Sequence, residues 1–255
     1  MSVTPVPATK KVNLRTPEVM EAVQAQVEKH YRSHAVEYVR ATGLPLVAKD
    51  MTVVLAKAFG FCYGVERAID LAYAAAKVFK DKRIFLLGEI IHNPEVNDQL
   101  REMGIQSLKR GPKGYDLSGL TAEDVVIVPA FGAEVETMDH LKKLGCQTVD
   151  TTCGDVMSVW KRVRQYNKER VTSIIHGKAS HEETMATSSR ALSGDGLGHY
   201  LVVYNLGETD YVCEYIRKGG NREEFLKKFA GAHSPGFDPD QHLQAVGVAN
   251  QTTMM

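Results

Sequence analysis

No apolar run in these 255 residues approaches the roughly 20 needed to span a bilayer, and the opening Met1 to Pro7 lacks the hydrophobic centre of a secretory signal. Charge of one sign is also missing. Lys plus Arg and Asp plus Glu number 31 each, so the formal net charge is 0. Such a balance provides no broad footprint for nucleic acid or an anionic membrane, while leaving room for a specific small-ligand site. Glu18, Glu21 and Glu28 argue against an acid-poor transit peptide. Only four cysteines are present and no two form C-x-x-C, which disfavours a disulfide framework, a zinc ribbon and a thioredoxin-like dithiol. No H-E-x-x-H occurs either, so a zinc hydrolase built on His92, His176, His181 and Glu183 lacks its ligand spacing. The expectation is a cytoplasmic protein with no membrane and no nucleic acid partner.

What is present is a 44% hydrophobic composition, enough for a core, in a chain long enough for two ordinary domains. Residues 16–43 carry a helical pattern, with Val19, Val23, Val27 and Tyr31 at four-residue steps. From Met51 onward, short β-branched runs alternate with amphipathic stretches. Strands are expected at 51–56, 83–87, 125–128, 147–149, 171–175, 200–205 and 243–249. Helices are expected from Val65 through Ala76 and at 94–103, 135–144, 156–168, 182–192, 211–217 and 223–229. That alternation predicts an α/β fold with parallel sheets and crossover helices, whose ligands bind beyond the carboxyl ends of the strands.

Two cysteines occupy nearly equivalent places. Cys62 lies between Gly60 and Gly64, Cys153 follows Thr151-Thr152 and precedes Gly154, and each comes after an apolar stretch and opens a helix. A thiol at a helix N-terminus faces unpaired N–H groups and the positive end of the dipole, which favours the thiolate that binds metal. Cys146 and Cys213 lack such settings, and packing is their expected role. His92 precedes Asn93-Pro94, an N-cap followed by a first helical residue, which suits it equally to packing beside the cap or to binding a phosphate at a helix N-terminus. In His176-Gly-Lys-Ala-Ser-His-Glu-Glu183, Ser180 and Glu183 match an S-x-x-E capping box. The same histidines and carboxylates could bind an anion and move a proton.

Together, Gly60-Phe-Cys-Tyr-Gly-Val-Glu-Arg-Ala68, Glu89-Ile-Ile-His-Asn93, Asp150-Thr-Thr-Cys153, His181-Glu-Glu183 and Asn250-Gln-Thr-Thr253 resemble the 4-hydroxy-3-methylbut-2-enyl diphosphate reductases, the LytB/IspH family. They occur in family order over about residues 52–255, and their details look closest to the branch found in plants and cyanobacteria. Phe131 stands where the other bacterial branch has a substrate-contacting histidine, so it receives no polar role. The resemblance implies repeated α/β domains around a central iron–sulfur site, with Cys62 and Cys153 as two of three thiolate ligands of a 4Fe-4S cluster. It also implies that His92 and His181 hold the diphosphate, Thr252 orders the substrate hydroxyl, and Glu183 delivers the proton with which it leaves as water. The partners it implies are hydroxymethylbutenyl diphosphate and a ferredoxin or flavodoxin type electron donor.

The family has a third domain, carrying the third cysteine and a Ser-x-Asn segment for diphosphate, that residues 1–255 do not include. The expected organisation is therefore an N-terminal helical appendage at 1–50 and two of three α/β domains, at 51–150 and 151–255. A reductase shortened at its C-terminus is the first reading, and an inactive fragment that still binds diphosphate is the second.

Overall fold

The computed structural model describes residues 12–112, 114–194 and 196–254. Its elements run α1 (Pro17–Tyr31), α2 (His34–Thr42), β1 (Leu46–Ala48), β2 (Met51–Val53), α3 (Tyr63–Val78), β3 (Ile84–Leu87), α4 (Pro94–Glu102), β4 (Ile105–Leu108), β5 (Arg110–Gly111) and β6 (Gly114–Tyr115). They continue with β7 (Val125–Val128), α5 (Val135–Leu144), β8 (Gln147–Asp150), α6 (Gly154–Lys168), β9 (Thr172–His176) and α7 (Glu182–Ala191). The last are β10 (Tyr200–Val203), α8 (Leu206–Lys218), α9 (Arg222–Lys228), α10 (Pro239–His242) and β11 (Val246–Asn250).

Two parallel sheets organise these elements. One has the order β4-β3-β7-β8 and the other β10-β9-β11, with every pairing parallel. Strands β3 and β7 are buried along their whole length, as apolar strands covered by helices on both faces must be. In the first sheet, Ile84, Leu86, Val125 and Ile127 face α3, while Phe85, Leu87, Val126 and Val128 face Leu141 and Cys146. The second sheet packs Leu201 and Val203 on Val212, Tyr215, Phe225 and Phe229. Each side chain of that size, fully buried, contributes about 1.5–3 kcal/mol.

Several expectations need correction. The 16–43 helical pattern is two helices, broken at Arg32 and Ser33, where the Ser33 side chain caps α2. The β-branched run 51–56 does not enter a parallel sheet: β2 pairs antiparallel with β1 in an exposed hairpin, because neither face of it meets apolar partners. Helix α8 begins at Leu206 rather than Tyr211, since Asn205 accepts from the Glu208 N–H and starts the helix early. Leu243 is not in the last strand. It closes α10, which Asp238 caps, and β11 follows. Cys146 is buried as expected, but Cys213 is exposed on α8 and does no packing. Helix α1 lies against α3 with Val23 only 1% exposed. Among the described residues, no helix is long and apolar enough to cross a membrane.

Candidate functional site

The carboxyl ends of β3, β7, β8, β9 and β11 carry the residues singled out from sequence except Cys62, which follows the β1–β2 hairpin and opens α3. Beyond β8, Thr151 Oγ1 donates to the Val128 carbonyl at 2.6 Å, and Asp150 Oδ1 accepts from the Thr152 N–H at 2.9 Å. The Cys153 N–H then donates to the Ala130 carbonyl at 2.7 Å. These bonds fix the backbone of Cys153, which is the N-cap of α6, just as Cys62 is the N-cap of α3. Neither thiol is spent on the cap. Both are free, and both reach the same hollow: a Cβ placed on Gly64 would lie 2.5 Å from Cys153 Sγ and 3.9 Å from Cys62 Sγ. Glycine at 64 therefore leaves space that two sulfurs share. Tyr63 closes one side, its hydroxyl 4.0 Å from Cys153 Sγ, and a hydrogen bond to Asp155 together with burial pushes its phenol up to about 12.

A second convergence joins the two sheets. After β3, Asn93 caps α4 by accepting from the Val96 N–H at 3.2 Å, and buried Asn97 accepts from the Ile90 N–H at 3.0 Å. The loop so held presents His92. After β9, the ring of His181 serves as the N-cap of α7, with Nδ1 accepting from the Glu183 N–H at 3.1 Å. His92 Nε2 and His181 Nε2 lie 3.1 Å apart, and His92 Nδ1 meets Glu89 Oε2 at 3.0 Å. Phe131 stacks on His92 at 4.8 Å and 16° and meets His181 edge-on, an apolar wall as its side chain demands. Burial first, then the neighbouring His92, holds His181 below the usual imidazole value.

The Ser180-x-x-Glu183 capping box does not form, because the imidazole of His181 takes the cap and releases Glu183 for another task. The Glu183 carboxylate is 1% exposed and accepts from the Thr252 N–H and, at 2.9 Å, from Thr253 Oγ1. Gln251 completes that turn: its Oε1 accepts from the Lys178 N–H at 3.0 Å and from Thr184 Oγ1 at 2.9 Å. Thr252 and His176 stand on the wall of a cavity of about 690 Å³ with Ser158 and Arg162. Glu89, Glu182 and Gln251 received no role from sequence, although each lies inside one of the motifs quoted above.

Among the described residues, His92, His181 and Glu182 bring one ligand atom each within 4.8 Å of one another, a grouping with the spacing of a potential metal site. Its hydrogen bonds favour a different occupant. With Nδ1 of His181 accepting a backbone N–H, the proton of the neutral ring sits on Nε2, and the lone pair that an ion would need there is absent. The N–H of that ring suits an acceptor, such as a phosphate oxygen. The thiols are the groups suited to iron: two free sulfurs converge over a glycine at two helix N-termini, a donor set that fits part of an iron–sulfur cluster.

Parallel α/β sheets with a thiol pair and a histidine pair beyond their carboxyl ends define a class of small-molecule site at strand ends. The family described as LytB protein matches residues 53–255, and the chain belongs to it. It is similar to the 4-hydroxy-3-methylbut-2-enyl diphosphate reductase of Thermosynechococcus vestitus, with 50% identity over 235 residues, which cover 92% of this chain and 57% of that protein. The protein of that name in Synechocystis is 51% identical over 225 residues, covering 88% of this chain and 58% of its own length. The chain thus spans a little over half the length of these relatives. A solved structure of (E)-4-hydroxy-3-methyl-but-2-enyl diphosphate reductase, the terminal enzyme of the non-mevalonate pathway, aligns with a TM-score of 0.54 and 26% identity, over 77% of this chain and 66% of that one. The corresponding reductase from Plasmodium falciparum aligns with a TM-score of 0.53 and 27% identity, over 60% of this chain and 45% of that one.

Proposed function

We propose that these residues form the cluster-binding and substrate-binding part of an iron–sulfur oxidoreductase. Its reaction is the reductive dehydroxylation of 4-hydroxy-3-methylbut-2-enyl diphosphate to isopentenyl and dimethylallyl diphosphate, the last step of the non-mevalonate route. The observation that carries this reading is the meeting of Cys62 and Cys153 over Gly64 in a chain half identical to reductases of that name. Cys62 and Cys153 would hold two irons of a 4Fe-4S cluster. When bound, such a cluster supplies electrons one at a time, from a ferredoxin or flavodoxin type donor, and an iron to which a hydroxyl oxygen can bind.

The remaining work falls to the chain's own groups. His92 and His181 bind the diphosphate, and Phe131 keeps water from one face of His92. Glu183 holds the Thr252 turn through its backbone N–H, which sets the Thr252 hydroxyl to orient the substrate hydroxyl. In its protonated form Glu183 delivers a proton to that hydroxyl, so that the C–O bond breaks with water as leaving group. Two electrons and two protons in all convert the alcohol to the alkene and water. The division into an appendage at 1–50 and domains at 51–150 and 151–255 belongs to the same proposal, as does a cytoplasmic location.

The second reading, a fragment that binds diphosphate without turnover, is favoured by the cysteine inventory: Cys146 is buried against the Thr121 carbonyl and Cys213 lies on α8, so neither joins the pair. Iron and acid-labile sulfide per chain after anaerobic reconstitution, beside a Cys62→Ser, Cys153→Ser variant, test the cluster. About four of each in the wild type and neither in the variant is the expected result. Turnover of hydroxymethylbutenyl diphosphate by the loaded chain with a reduced donor separates the first reading from the second.

A further inference from the structure

The hydrogen bonds through His181 and His92 form a line whose two ends are chemically fixed. At one end the Glu183 backbone N–H can only donate, so His181 Nδ1 accepts and the ring's single proton is on Nε2. At the other end the Glu89 carboxylate can only accept, so the His92 proton is on Nδ1. Between them, 3.1 Å apart, His181 Nε2–H donates to the bare Nε2 of His92. The free site therefore presents one N–H that is already engaged and one lone pair.

A diphosphate oxygen only accepts. For both rings to hold it, His181 must turn its Nε2–H to the anion and His92 must acquire a proton on Nε2. A change of tautomer cannot supply it, since moving the Nδ1 proton would leave two lone pairs facing each other 3.0 Å apart at Glu89. We propose, resting on the assignment of His92 and His181 to the diphosphate, that the anion enters together with one proton from solvent. The proton settles on His92 Nε2, and Glu89 holds the resulting imidazolium through Nδ1–H. Glu89 is thus a positioning residue for this site.

The surrounding charges act in the same direction. His92 is faced by Glu89 from its own loop and by His181 and Glu182 from the start of α7, with the Glu182 carboxylate 3.9 Å from Nε2. Glu183 and Lys178 act on the pair through His181, and Tyr115 of β6 feels Glu182. Phe131 covers the other face without charge. Three carboxylates against one lysine make a poor landing place for a polyanion until a proton is added. Burial depresses His181, which directs that proton to His92.

Calorimetric titration of inorganic diphosphate into the chain near about pH 7.5, in buffers of different ionisation enthalpy, counts the protons taken up. His92→Gln keeps an N–H donor but does not titrate, and the ligand's own protonation cancels between the two proteins. The expected difference is about one proton per chain. Equal proton numbers would overturn the coupling while leaving diphosphate binding intact; no binding by the wild type would remove the assignment beneath it. Ring ¹⁵N spectra give an independent readout: a bare Nε2 on His92 in the free protein and two protonated nitrogens after saturation, whereas a bare Nε2 in the saturated state refutes the proposal. In Glu89→Gln, the fall in affinity with rising pH begins at lower pH and still follows about tenfold per unit.

Discussion

Substituting Gly64→Ala separates the fold from the thiol site. The added Cβ would lie 2.5 Å from Cys153 Sγ and 3.3 Å from Cys153 Cβ, with Cys62 Sγ at 3.9 Å. The Cys153 backbone cannot retreat, because its N–H is bonded to the Ala130 carbonyl at 2.7 Å and the preceding Thr151 and Thr152 are fully buried. The sulfur must therefore swing out of the hollow about its one side-chain torsion. Gly64 is the second residue of α3, so alanine gains up to about 1 kcal/mol of helix propensity, which offsets a rotamer and contact cost of about 1–2 kcal/mol. The unfolding free energy should change by less than about 1.5 kcal/mol, measured in urea with an unchanged slope. Iron and sulfide per chain after anaerobic reconstitution should nevertheless fall severalfold, because one of two converging sulfurs has left. Full loading of Gly64→Ala at wild-type stability would refute the claim that the hollow over Gly64 is where the thiols act together.

Glu183→Ala should cost about 1–3 kcal/mol, since the Thr252 N–H and the Thr253 hydroxyl lose a buried acceptor, and hydrogen exchange at Thr252 should quicken; unchanged exchange would remove Glu183 as the support of that turn. Arg190, buried with its guanidinium 3.7 Å from the Trp160 ring centroid and bonded to the Ala133 carbonyl, ties α7 to the loop after β7. Arg190→Met should destabilise by about 1–3 kcal/mol and weaken diphosphate binding by moving His181 relative to His92, which unfolding and calorimetry together would read. For Asp124, burial raises the carboxyl, but the hydrogen bonds from Arg83 and Thr121 outweigh it and leave the folded value lowered. Its stabilisation is therefore present above about pH 4 and lost as pH falls through the lower folded value, so Asp124→Asn should flatten the acid limb of a stability profile, and an unaltered limb would refute this.

How far the sequence carries can be judged at particular residues. Cys62 and Cys153 were legible as helix openers because glycines and an apolar stretch bracket both, and a cap is a local event. Alternation of β-branched and amphipathic segments was legible for the same reason. Residues 46–53 were not, because a β-branched run records a preference for extended backbone and not the identity of its partner; its apolar side chains met no partner in either parallel sheet, and it folded back on itself. The S-x-x-E box at Ser180 failed to a competitor one residue away, the His181 ring, whose cap leaves Glu183 free to reach Thr252 across 69 positions. In the line from Glu183 through His181 and His92 to Glu89 the two end bonds are local, but the His92–His181 link that joins them spans 89 positions, so no local signal could have announced its proton order.

The two convergences differ in what must assemble before they exist. Cys62 opens α3 and Cys153 follows β8, and α3 packs on the sheet to which β8 belongs, so the thiols are brought together by the first sheet and its helix. His92 follows β3 of that sheet, whereas His181 follows β9 of the other, so the histidine pair exists only when the two sheets are docked. Besides that pair, polar ties between the two among the described residues include Arg190 to the Ala133 carbonyl, the Val135 N–H to Ser189 at 3.1 Å and Arg110 to the Met185 sulfur at 3.5 Å, and Trp160 of α6 packs against Gly132, where any Cβ would lie 2.2 Å from the indole. Gly132→Ala must therefore push Trp160, and α6 with it, away from the first sheet, with added strain from the positive φ of 80°. Diphosphate affinity should collapse in that variant by more than the protein's iron loading does. Equal losses of the two would mean that the thiol pair also depends on docking, and that the site is one unit rather than two.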